Sequence, residues 1–459
     1  MIFAIVGIII LLYSTKNFKK GFMIYLTYKL LLVTNISLVS IPGIPLLTVE
    51  MFMTLVYIFL FFSQGKKYEY AHMKFPFRVV FLCLFACWFL SAIFAIAGFK
   101  SELSNLIKIT SEDIMLIWMM WEILEEKTDF FMLYKYITVV MFISCVYGII
   151  EYVIQSNPLT MYEATLIHDE SKSFLGIYTN MDRGYRIKSI YEHTIGAGIN
   201  WGMYSVFSIW IWINSATEDR KKLPKLSMVT ALLCIPCIIL TKMRSPLVFF
   251  AIATLSLINF KRKRFYNAII VGMIMVIVLI PLISQNYDIF ISFFDSSAQK
   301  TIGGSTVDTR FIQFTSAFEV IKKSPIIGLG NKFASVLPKS QYALLYGMES
   351  IWLWVIVQYG LIGVIIYVLY LIYSVVIIPK KFSCRQIMFF FLAYWITYTA
   401  SSIPGAKMYL LYLIVFYFIK TSEKYKRNKT EGNVYGVYMK NGSVICGKIK
   451  KKATGEDNE

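Results

Sequence analysis

Four polar stretches in an otherwise apolar chain carry side chains suited to holding an anion and taking up a proton. One is the short connection Thr241-Lys242-Met243-Arg244-Ser245-Pro246. A second holds Asp308-Thr309-Arg310, then Ser324-Pro325-Ile326-Ile327-Gly328-Leu329-Gly330, then Glu349-Ser350 just ahead of an apolar run. A third is Asp182-Arg183-Gly184-Tyr185-Arg186-Ile187-Lys188, leading to Glu192-His193, and a minor fourth runs from Ser402 to Lys407. Guanidinium groups stay charged and bind phosphate oxygens through paired hydrogen bonds. A carboxylate placed against a hydroxyl is a natural proton acceptor.

The surroundings of these stretches are membrane. Mean hydropathy is +0.62, with 57% hydrophobic and 17% aromatic residues, and runs of about 20 apolar residues read as transmembrane helices. Candidate spans lie at 2–13, 22–40, 44–63, 77–99, 103–123, 130–154, 194–214, 226–240, 246–260, 266–284, 351–378, 387–403 and 409–419. The expected fold is an all-α polytopic membrane protein of about 12–14 transmembrane helices. Its membrane domain covers 1–420 and has one long external loop at 285–350 that contains an amphipathic helix. The first run has no basic region ahead of it and no small-residue cleavage site, so it reads as a retained span.

Positive charge sets the orientation, because short cytoplasmic loops carry the excess of Lys and Arg. With the N-terminus outside and the C-terminus cytoplasmic, thirty of the 46 basic residues fall inside. The polar stretches above then all face outward. The net charge of +19 is explained by topology and anionic headgroups and calls for no nucleic-acid partner. None of the seven cysteines falls in an external loop, so disulfides do not hold the exposed parts. Cys234-Ile-Pro-Cys237 has redox spacing but sits in an apolar span, where packing is the better reading.

Arg244 is the most pointed residue. A charge at a membrane boundary is costly unless paired and marks a functional site by default; snorkelling to headgroups is its plain alternative, shared with Lys242. Arg310 heads a helix on which Phe311, Phe314, Phe318 and Ile321 recur on one face, fit to lie on the membrane surface. His193 reads as a surface or packing residue, and no metal-ligand spacing repeats. The external Tyr and Trp residues suit either sugar stacking or an interfacial belt. The tail, 421–459, is a basic cytoplasmic segment. Its Val434–Cys446 run alternates around Asn441-Gly442, a hairpin signal.

Taken in order, three of these features resemble the O-antigen polymerase and O-antigen ligase family. They are Arg244-Ser245 in a short external turn, then Arg310 with Pro325-Ile326-Ile327-Gly328-Leu329-Gly330, then Glu349-Ser350 with Gly360-Leu361-Ile362-Gly363. The likeness covers about 183–370, and Glu349 stands where relatives often have His. It implies a membrane glycosyltransferase of the bacterial cytoplasmic membrane, working on the outer face with a polyprenyl-diphosphate-linked oligosaccharide. Arg186, Arg244 and Arg310 would meet the charge developing on the leaving diphosphate, helped by Arg183, Lys242, Gly328 and Gly330. Glu349 would be the base for the acceptor hydroxyl, or else a partner of a loop arginine. No cofactor or metal is expected. A flippase and a chain-length regulator would be partners besides membrane lipids. A polymerase is the expected activity; a ligase of the same family and a lipid-linked oligosaccharide flippase are the alternatives.

Overall fold

The computed structural model describes residues 2–32, 37–39, 47–64, 75–166, 179–180, 184–215, 217–258, 307–337, 350–401, 405–422, 435–440 and 443–448, with isolated positions besides. Helices dominate. In chain order they are α1 Ile2–Lys16, α2 Phe18–Tyr28, α3 Val49–Ser63, α4 Arg78–Ile93, α5 Phe99–Ile109, α6 Leu116–Ile123, α7 Lys127–Ile154, α8 Pro158–Leu166, α9 Thr194–Asn214, α10 Thr217–Lys222, α11 Leu226–Leu240 and α12 Arg244–Thr254. Then follow α13 Val307–Ile321, α14 Ile351–Phe382, α15 Arg385–Ala400 and α16 Met408–Thr421. Three small antiparallel pairs accompany them: Ser37–Val39 with Leu47–Thr48, Thr179–Asn180 with Gly184–Tyr185, and Tyr435–Lys440 with Ser443–Lys448.

Among the described residues, two helices are long and apolar enough to cross a membrane alone, Lys127–Ile154 and Ile351–Phe382. Several expected spans are shorter as helices. The run 22–40 stops being helical at Tyr28, where Lys29 becomes the C-terminal cap and its ammonium turns into the protein to bond Glu50. The run 77–99 stops at Ile93 and turns at Gly98, whose φ of +80° suits glycine. The candidate span 266–284 lies outside the described residues.

α9 is the hub. Most of its side chains are buried; it packs on α11 and α12 and bonds α7 through Ser208, Tyr204 and Trp201. Gly198 lets α12 approach closely, since a Cβ there would fall 2.5 Å from Pro246. α7 is fixed at its start by Asp129, which accepts from the Glu126 amide at 2.9 Å, and ends at Gln155 with φ +51°. Faces turned away from the bundle are apolar: Phe59, Val79, Leu82, Val153 and Leu361 are each more than half exposed. Such a surface suits hydrocarbon, not water.

The two ends of the bundle differ. At one end Lys19 pairs with Asp129 and Lys127 with Asp219, while the Lys420 ammonium donates to the Trp121 and Leu124 carbonyls. The other end gathers the C-termini of α2, α7, α11 and α15 with the N-termini of α3, α9, α12 and α16. That end holds the polar stretches singled out from the sequence.

Candidate active site

Glu151, one turn from the end of α7, organises the site. Its carboxylate accepts from the Tyr185 hydroxyl at 3.1 Å and from the amides of Lys188 at 3.3 Å and Ser189 at 2.6 Å. Ser189 turns with φ +55°, and its hydroxyl and carbonyl are tied to the Ser144 carbonyl and the Asn157 amide. The Ile187 amide reaches the Leu240 carbonyl at 3.3 Å. A six-residue ribbon is thereby clamped between α7 and α11, and it carries Arg186 and Lys188 inward; both are buried.

The turn from α11 to α12 meets this ribbon. Lys242 adopts φ +50°, and its ammonium sits against Gly184, where a Cβ would come within 2.8 Å of it. The same ammonium lies 5.9 Å from the Tyr152 ring centroid, a cation–π approach. Arg186 donates from Nη1 to Met243 Sδ at 3.5 Å, and Arg244 opens α12 next to it. Burial, and then the Arg186 charge, pull the Lys242 ammonium below its ordinary pKa.

His193 closes the group as the N-cap of α9: its Nδ1 accepts from the Ile195 amide at 3.1 Å. Burial first, then Arg186 and Lys188, push its pKa down from 6.5 to about 4. The ring is neutral at pH 7, which the cap requires. Arg186 and Lys188 therefore act on a neutral histidine, Arg186 acts on Lys242 as well, and Arg244 stands at the head of α12. Cations so grouped can attract an anion.

The second half of the expected site approaches the same end along α15, which packs on α12. Here Ser350 caps α14 by accepting from the Trp352 amide, and Trp352 Nε1 donates to Thr399 at 2.9 Å. Gln313 of α13, Ser350, Trp352 and Thr399 help to line a cavity of about 150 Å³. α13 turns Gln313, Ala317 and Val320 inward and leaves Phe311, Phe314 and Phe318 exposed. The expected Phe stripe does face away from the protein, but Ile321 is buried. Arg310 lies in the first turn of α13; its side chain, Arg183 and Glu349 lie outside the described residues.

Gly328 and Gly330 do different work from that expected of them. The amides of Gly328, Leu329 and Gly330 donate to the carbonyls of Ser324, Val357 and Gln358, so they are not open to a phosphate. In return Leu361 and Ile362 donate to Pro325 and Ile326. α14 breaks at Gly360, with φ +62° and ψ −159°, to release those carbonyls and amides. A Cβ on Gly328 would fall 2.3 Å from the Gln358 oxygen, and one on Gly360 2.4 Å from the Ile326 oxygen. The two glycine motifs lock one backbone into the other.

An arginine-headed turn, an interlocked pair of glycine motifs and a serine-capped α14 now follow one another in one domain. Residues 229–368 match the family model for O-antigen ligase. No curated protein matches the chain. The matched segment takes in Arg244, Arg310, Gly328, Gly330, Glu349 and Gly360, whereas Arg186, Lys188 and His193 come from the chain ahead of it. Members of that family are membrane-associated and act as ligases or polymerases of the glycosyltransferase kind. Lys188 and Glu151 were not picked out as site residues from the sequence. Lys188 had a weak signal in its spacing from Arg186; Glu151 had only the oddity of a carboxylate inside an apolar run.

Proposed function

We propose that the protein polymerises a bacterial cell-surface polysaccharide on the outer face of the cytoplasmic membrane. It takes a growing glycan from polyprenyl diphosphate and transfers it to the next lipid-linked repeat unit. The observation that carries this reading is the buried Arg186 and Lys188, with Arg186 in electrostatic reach of Lys242, next to a segment that matches the O-antigen ligase family model and opens its α12 with Arg244. As the sugar–diphosphate bond breaks, charge grows on the leaving diphosphate, and preorganised cations stabilise it most where water is excluded. Arg310, at the head of α13, is a further candidate for this role, and these cations do what a divalent ion would otherwise do. Glu349, directly ahead of the α14 N-terminus, removes the proton of the acceptor hydroxyl. About 13 spans, with the N-terminus outside and the C-terminus cytoplasmic, put this end of the bundle outward.

The test is the size of lipid-linked glycan in cells lacking the protein and in cells carrying Arg244→Ala. Single repeat units that reach the outer face and never lengthen are the expected result. Long polymer left on its carrier would make the protein a ligase. Single units held on the inner face would make it a transporter.

A further inference from the structure

A second polar cluster lies at the same end of the bundle, buried where α2, α3 and the α5–α6 junction meet. Lys29 bonds Glu50 Oε1 and lies 4.0 Å from Glu112 Oε2, and Lys407 lies 4.0 Å from Glu50 Oε1. Lys108 and Asp113 are within electrostatic reach of Lys29 and Glu50. Glu112 and Asp113 stand in a single π-helical segment, Thr110–Met115, between α5 and α6; such segments are rare and concentrate at functional sites.

The salt bridges use only part of this cluster. Among the described residues, Glu50, 2% exposed, has no hydrogen-bond partner for Oε2, and neither Glu112 Oε1 nor Thr110 Oγ1 has one. Buried polar atoms without partners are costly, and ionised groups within a membrane domain mark function. Two of the three atoms are carboxylate oxygens, which can only accept. The ammonium groups beside them can only donate. A ligand that fits must offer several groups that both donate and accept within a short span, which is what the hydroxyls of a sugar do. The cluster is also tied to the cation group. Lys407 donates its amide to Asn200, Asn200 donates to the Gly405 carbonyl, and Gly405 packs on the His193 backbone.

Building on the proposed function, we infer that Glu50, Glu112 and Thr110, with Lys29 and Lys407 between them, form a binding site for an uncharged stretch of glycan, separate from the diphosphate site. The probe is a set of fragments one to three repeat units long, made by partial acid hydrolysis of the cell's own surface polysaccharide. Their affinity for the purified full-length protein is measured by calorimetry. The wild type binds them, Glu112→Gln weakens binding about tenfold, and Thr110→Val weakens it about threefold. Arg244→Ala leaves fragment affinity within about twofold, since the fragments carry no diphosphate. No binding to the wild type, or equal binding by the wild type, Glu112→Gln and Thr110→Val, overturns the site. Should Glu112→Gln not fold, the Thr110→Val comparison decides. The proposed function fails separately: polymer of normal length in cells lacking the protein sinks that reading, while Glu112-dependent fragment binding keeps the site.

Discussion

Arg244 and His193 show how two side chains in one cluster do opposite things with charge. Arg244 keeps its guanidinium at any working pH, and a lysine there would offer a point charge without the paired geometry. Arg244→Ala is expected to lower polymer formation about 100-fold or more, and Arg244→Lys to recover only part of it, read as glycan chain length and initial rate. His193 works neutral. Its folded pKa lies near 4 against an ordinary 6.5, so the unfolded chain binds its proton first as pH falls. The stabilisation is complete above about pH 6.5 and is lost progressively towards pH 4. Between pH 7 and pH 5 the protein should lose about 2 kcal/mol of stability from this group. Thermal unfolding of His193→Asn, which keeps a neutral cap, should show a flatter pH response; an unchanged slope would remove His193 as the cause.

At the scale of elements, the Pro325–Gly330 loop and α14 depend on each other through four reciprocal backbone hydrogen bonds. Gly328→Ala and Gly360→Ala each force a left-handed residue and a steric overlap with backbone. Each is expected to cost more than about 2 kcal/mol and to lower the yield of folded protein. Gly98→Ala is the control. With φ +80° and ψ +147° it lies in a region essentially confined to glycine, but nothing lies within 4 Å of the added methyl, so only the backbone strain of about 1–3 kcal/mol applies. Detergent-solution melting curves separate the two cases. The spacing of these glycines was visible in the sequence, but their purpose was not. A motif shows that a small residue recurs, whereas the carbonyl it must clear belongs to another segment.

Across the described residues, cations gather at both ends of the bundle. Lys19, Lys127 and Lys420 sit at one end of the bundle, and Arg186, Lys242, Arg244 and Lys407 at the other. In a cysteine-free background, Lys242→Cys should react with a membrane-impermeant maleimide in intact cells. Lys127→Cys should react only after the cells are opened. The reverse pattern would invert the proposed orientation and place the cation cluster in the cytoplasm.

Hydropathy and the count of Lys and Arg along the chain were enough to establish an apolar helical protein. They also located α9 and α11 to the residue, because burial in hydrocarbon imposes a length and a composition that a linear reading can measure. The motif order from Arg244 to Gly363 was likewise legible, and it led to the family. Where α2 and α4 end was not, since Lys29 leaves its helix to meet Glu50 and the chain turns at Gly98 inside an apolar run. The cation cluster was least legible. Arg186 comes into reach of Lys242 on a ribbon whose amides are accepted by Glu151, a carboxylate on a third segment. A sequence lists such residues some fifty positions apart; only folding decides that they meet.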